Sequence, residues 1–176
     1  WCSVADPFPY WVLPSPVRLP VNRSTLGWHA AAAGFAYAFG RLAMFGYKYV
    51  GADQLVGGPF PDNCPDVTSL DWTTGQPNAK FWSVKMLAEA YGAGPKDLHP
   101  TRMSELSPNG TVFALGISKE ARRGALVVSK VAFLQTVSLS TAFPGGALAQ
   151  VMEGVGPEPG FVAPVTRQLP KGEDLV

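Results

Sequence analysis

Apolar residues recur at helical spacing in the first half of the chain and in short alternating runs in the second. In residues 68–94, TSLDWTTGQPNAKFWSVKMLAEAYGAG, Phe81, Val84, Ala88 and Tyr91 follow at threes and fours, which places them on one face of a helix. Pro77 suits a first helical turn, where its missing N–H would have no partner anyway, with Thr74 or Gln76 at the cap. Lys85 and Glu89 stand one turn apart with opposite charge and are expected to pair. Lys80 falls on the polar side with them. Gly92 and Gly94 supply left-handed stop positions and Pro95 prevents continuation. Trp82 and Met86 lie off the main stripe, so this helix is expected to be buried on more than one side.

Residues 25–47, TLGWHAAAAGFAYAFGRLAMFGY, give a second helix capped by Ser24 or Thr25. Phe35, Phe39 and Leu42 form one stripe, and Tyr37, Arg41 and Met44 another. Residues 30–33 are all alanine, which permits close packing against a sheet or another helix. His29 reads as a cap or surface residue, with no Ser, Cys or Asp at a spacing that marks a catalytic set.

Between these helices, residues 48–57 (KYVGADQLVG) read as a short strand running into a polar loop. Helix, strand, loop and helix is the cadence of an α/β unit. Asp53 and Gln54 would sit at the carboxyl end of that strand, where barrels gather functional groups; they either contact a ligand or hold loop backbone. The loop at 58–76 carries Asp62, Asp66 and Asp71; three aspartates suggest calcium, but their spacing matches no calcium loop and favours solvated turn caps. Trp72 in the same loop either faces a ligand or anchors the loop.

Beyond Gly94 the pattern changes to VFALGIS (112–118), GALVVSKV (124–131), QTVSLSTAF (135–143) and ALAQVME (147–153). Asn109-Gly110 and Arg123-Gly124 mark turns between them. Short alternating runs separated by turn signals predict an antiparallel sheet or sandwich. The tail 154–176, rich in Pro and Gly, is expected to add an edge segment. The expected division is therefore 1–94, with a helix–strand–helix unit, and 95–176, a β domain.

Composition narrows the picture. The 176 residues include 19 glycines and 17 prolines, about a fifth of the chain, which favours turns over a helical bundle. Five of the prolines (Pro7, Pro9, Pro14, Pro16, Pro20) fall in residues 1–27 and forbid a long helix there. A short strand at residues 10–13 fits that segment; Trp1, Phe8, Tyr10 and Trp11 either line a sugar platform or anchor a loop. A net charge of +1 without a basic stripe gives no support to nucleic-acid binding. No apolar run spans a bilayer. No phosphate loop, metal-ligand cluster or nucleophile elbow occurs, so no cofactor is expected. The start at Trp1 lacks a charged leader and reads as a mature, processed or cut end. Cys2 and Cys64 allow one disulfide. The triplets Asn22-Arg23-Ser24 and Asn109-Gly110-Thr111 are glycosylation sequons at Asn22 and Asn109, which leans towards secretion.

Taken in order, the second helix, GADQLVG, VTSLDWTTGQPNAKFWSVKML, a glycine stop, and the pair VFALGIS and GALVVSK resemble the carboxy-terminal portion of glycoside-hydrolase-like proteins of the heparanase and β-xylosidase groups. The resemblance spans roughly residues 25–153. It implies an α+β chain: the last α/β units of a (β/α)8 barrel followed by a small antiparallel β-sandwich. DWTTGQPNAKFW would lead into the final barrel helix. The resemblance also implies carbohydrate as ligand, with Asp53, Gln54 and Trp72 as substrate-binding candidates. In that clan two glutamates do the chemistry, about 5 Å apart in retaining enzymes. Residues 1–24 contain no glutamate, and Glu89, Glu105, Glu120, Glu153, Glu158 and Glu173 fall in the last helix, the sandwich or the tail. No catalytic residue is therefore expected in this chain. It reads as a fragment or subunit of a secreted glycoside-hydrolase-like protein that needs a second chain, or more of its own, to complete the barrel. The alternative is a non-catalytic extracellular module that binds glycan or serves a structural role.

Overall fold

The computed structural model describes residues 23–51, 55–56, 69–71, 74–92, 94, 96–100, 110–131, 136–138, 143–152 and 163–171, with the backbone alone at 23–28, 91 and 100. Among the described residues the chain is α+β, with two helices and two small antiparallel sheets. Helix α1 is Arg23–Met44 and helix α2 is Ala79–Tyr91. The first sheet holds β1 (Asp97–Pro100), β2 (Val112–Lys119) and β3 (Arg122–Ser129), in that order. The second pairs β4 (Ala147–Val151) with β5 (Val165–Leu169). The tail thus supplies the edge segment that its composition suggested.

Helix α1 ends as its sequence dictates. Gly46, at φ +82°, takes the left-handed conformation that glycine adopts without strain. Its N–H donates to the carbonyl of Ala43, and that of Tyr47 reaches back to Leu42. This double closure satisfies carbonyls that the last turn leaves open. Of the short strand and polar loop expected at 48–57, the described residues 48–51 are irregular and Val56 makes a single parallel bridge to Leu70, while 52–54 and 57 lie outside the described residues. The chain leaves the αL turn with Tyr47 and Tyr49 in solvent, so no pleated run is aligned for pairing.

Helix α2 begins at Ala79, two residues after Pro77. Asn78 is the N-cap, rather than Thr74 or Gln76: its Oδ1 accepts from the backbone N–H of Lys80 (2.9 Å) and of Phe81 (3.2 Å). Pro77 lies outside the helix, in an antiparallel bridge to Leu70. The C-terminal stop holds, with Gly92 at φ +56° donating to Ala88. Lys96 Nζ adds bonds to the carbonyls of Gly92 and Gly94, a cation at the negative end of the helix.

The buried face of α2 is rotated from the expected stripe. Ala79, Lys80, Ser83 and Leu87 are buried and Val84 half-buried, whereas Ala88 is exposed. Ser83 tolerates burial because its hydroxyl donates to the carbonyl of Ala32 in α1, 3.2 Å away. The alanines 30–33 serve the close approach they suggested: Ala32 and Ala79 are fully buried against one another, with Met152 beyond β4 packed on them. Phe81, Trp82 and Met86 are half-buried; Trp82 meets Phe81 edge-on and lies under Lys85, both of its own helix.

The main core lies between the helices and the first sheet. Phe35 and Ala36 of α1, Leu87 of α2, Leu115 and Ile117 of β2 and Val128 of β3 form one cluster, with Phe39, Phe113 and Leu126 packed around it. Its members come from both sides of Gly94. Phe113, Leu115 and Ile117 alternate along β2 and so share a face, and register pairs Phe113 with Val128 and Leu115 with Leu126. That register puts the β2–β3 turn at Glu120 and Ala121, not at the Arg123-Gly124 that the sequence marked. Gly124 instead pairs with Ile117 inside the ladder. No strand is assigned to residues 136–138 or Phe143 of the run expected at 135–143. Strand β1, unmarked by any alternation in DLHP, forms by pairing with β2.

Candidate functional site

Most residues singled out from the sequence lie outside the described residues: Asp53, Gln54 and Trp72 as ligand contacts, Asn22 and Asn109 as sequon asparagines, and Cys2 and Cys64 as a disulfide pair. The polar and exposed groups among the described residues gather at four places: the turn at Asp71, the first turns of α2, the first sheet at His99 and Ser118, and the chain that leaves α1.

The turn beside Trp72 is closed by Asp71. Its Oδ1 accepts from the backbone N–H of Thr74 (2.7 Å) and from the Thr74 hydroxyl (2.8 Å). The backbone N–H of Asp71 donates to Gln76, and that of Gly75 to Asp71. Gly75, at φ +71°, completes the reversal. Asp71 is thus the turn cap that its place in the loop favoured, engaged in holding backbone. This turn hands the chain to the α2 cap, where the Asn78 N–H donates to the buried Ser69 carbonyl.

At the start of α2 the buried groups are polar. Asn78 is fully buried and Lys80 only 4% exposed. Lys80 was placed on the polar side by its sequence position. Burial there follows from Ala79 and Ser83, whose small side chains bring this end of α2 against α1. His29 of α1 is neither a cap nor a surface group: it lies in the second turn, part-buried, and burial lowers its pKa. Its Nδ1 and the Nε1 of Trp82 are both buried, and neither has a hydrogen-bond partner among the described residues.

The nearest approach to a nucleophile–base pair is on the open surface of the first sheet, where Ser118 Oγ and His99 Nε2 are 2.7 Å apart. Both lie on adjacent strands and His99 is exposed. Nucleophilic catalysis needs the base oriented by a third group. Among the described residues none holds the second ring nitrogen. No three His, Cys, Asp or Glu residues gather as a metal site among the described residues. Glu89 is engaged with Lys85, 3.7 Å away, the pair that helical spacing predicted.

The chain leaving α1 has a different character. Phe45, Tyr47, Tyr49, Leu55 and Val56 are all exposed, Phe45 at 70% and Tyr49 at 91%. Arg41 stacks over the Phe45 ring, 5.4 Å from its centroid. No described helix is long and apolar enough to cross a membrane. No protein-family model, curated protein or solved structure matches the chain.

Proposed function

We propose that this chain is a non-catalytic part of a larger secreted assembly and, on the resemblance stated above, a piece of a glycoside-hydrolase-like protein whose barrel is completed by other polypeptide. The observation that carries the assembly reading is the exposed apolar run after α1. Monomers rarely leave large contiguous apolar patches in water, and such patches mark interaction surfaces. Three large aromatics within five residues, followed by Leu55 and Val56, are a strong candidate for a covered surface. The pairing of VFALGIS with GALVVSK supports the finer reading, since the resemblance implies neighbouring sandwich strands there. A non-catalytic role fits two of the described carboxylates: Asp71 holds a turn and Glu89 a helix-surface pair.

The test is unfolding of the purified chain in urea, followed by helical circular dichroism and by tryptophan fluorescence. The proposal expects transitions that are broad and differ between the two probes, as for a piece that lacks its partner surface. A monomer that unfolds in one coincident, cooperative transition would overturn it. A second reading, a glycan-binding module, is favoured by the resemblance, which offers Trp72 as a sugar contact. Binding on a glycan array that disappears in Trp72→Ala would support it, and no binding by the wild-type chain would remove it.

A further inference from the structure

We draw no further inference here: the strongest candidate, the exposed apolar patch of Phe45, Tyr47, Tyr49, Leu55 and Val56 beyond the carboxyl end of α1, is an unpartnered face, and nothing in the structure shows what chemistry covers it.

Discussion

Asn78 shows how one side chain sets a boundary that pattern alone misplaces. Pro77 draws attention as a helix starter, yet the group that satisfies two open N–H donors is the amide next to it. Asn78→Ala should cost about 1 kcal/mol, at least the usual value of a lost cap, while Asn78→Asp should retain most of it; urea denaturation measures both. Leu115, fully buried at the centre of the core, is the residue whose truncation should cost most. Leu115→Ala is expected to destabilise by about 2–5 kcal/mol in the same assay, through lost burial and the cavity left behind. His29 makes the stability pH-dependent. Its folded pKa is lowered, so between that value and the ordinary one near 6.5 the unfolded chain binds more protons. Stability should be full above about pH 6.5 and fall as pH drops below it. Following the unfolding midpoint from pH 7.5 to 5 should show that decline, and His29→Gln should flatten it. Of these features, the Lys85–Glu89 pair was legible from spacing, because both partners lie on one helix. The burial of Ser83 and Lys80 was not, because it depends on Ala32 from a helix fifty residues away.

Elements were legible where local chemistry closes them. Helix α1 stops at a glycine that takes a positive φ, and α2 stops at another. The helices and β2, β3 and β4 were read to within a few residues because their apolar periods are distinct. Strand β1 and the β2–β3 turn were not legible, because long-range pairing decides both. At that turn Glu120 adopts φ +55°, a conformation that costs an L-residue about 1–2 kcal/mol and glycine almost nothing. Glu120→Gly should therefore stabilise the hairpin by about 1 kcal/mol, less glycine's larger loss of chain entropy, as read from the thermal midpoint. Helix α1 rests on the sheet at Gly40. A Cβ there would come within 2.6 Å of the Phe113 ring, which Tyr37 meets edge-on with centroids 5.1 Å apart. Gly40→Ala gains about 1 kcal/mol of helix propensity but must displace that ring, an overpacking cost of about 1–3 kcal/mol. It should destabilise the wild-type chain. In a Phe113→Ala background the obstruction is gone, and the same change should stabilise. A Gly40→Ala effect of the same sign and size in both backgrounds would show that the helix does not rest there.

At the scale of the molecule, two helices cover the first sheet through one core that draws on residues before and after Gly94. The second sheet joins them through Met152 against Ala32 and Ala79. This packing rests on apolar pattern and small residues, and the sequence carries both. Phe45, Tyr47, Tyr49, Leu55 and Val56 are different: the sequence placed them in a helix end and in a strand running into a loop, and all five stand in solvent. Without a covering partner, such a surface should drive the purified chain to associate with itself. The most direct measurement is sedimentation velocity of the wild-type chain and of the double variant Tyr47→Ser, Tyr49→Ser across micromolar concentrations. The wild-type chain should give species heavier than the 18.7 kDa monomer, growing with concentration, and the variant should remain monomeric with unchanged helical content. A wild-type chain that sediments as a single 18.7 kDa monomer at every concentration would contradict it.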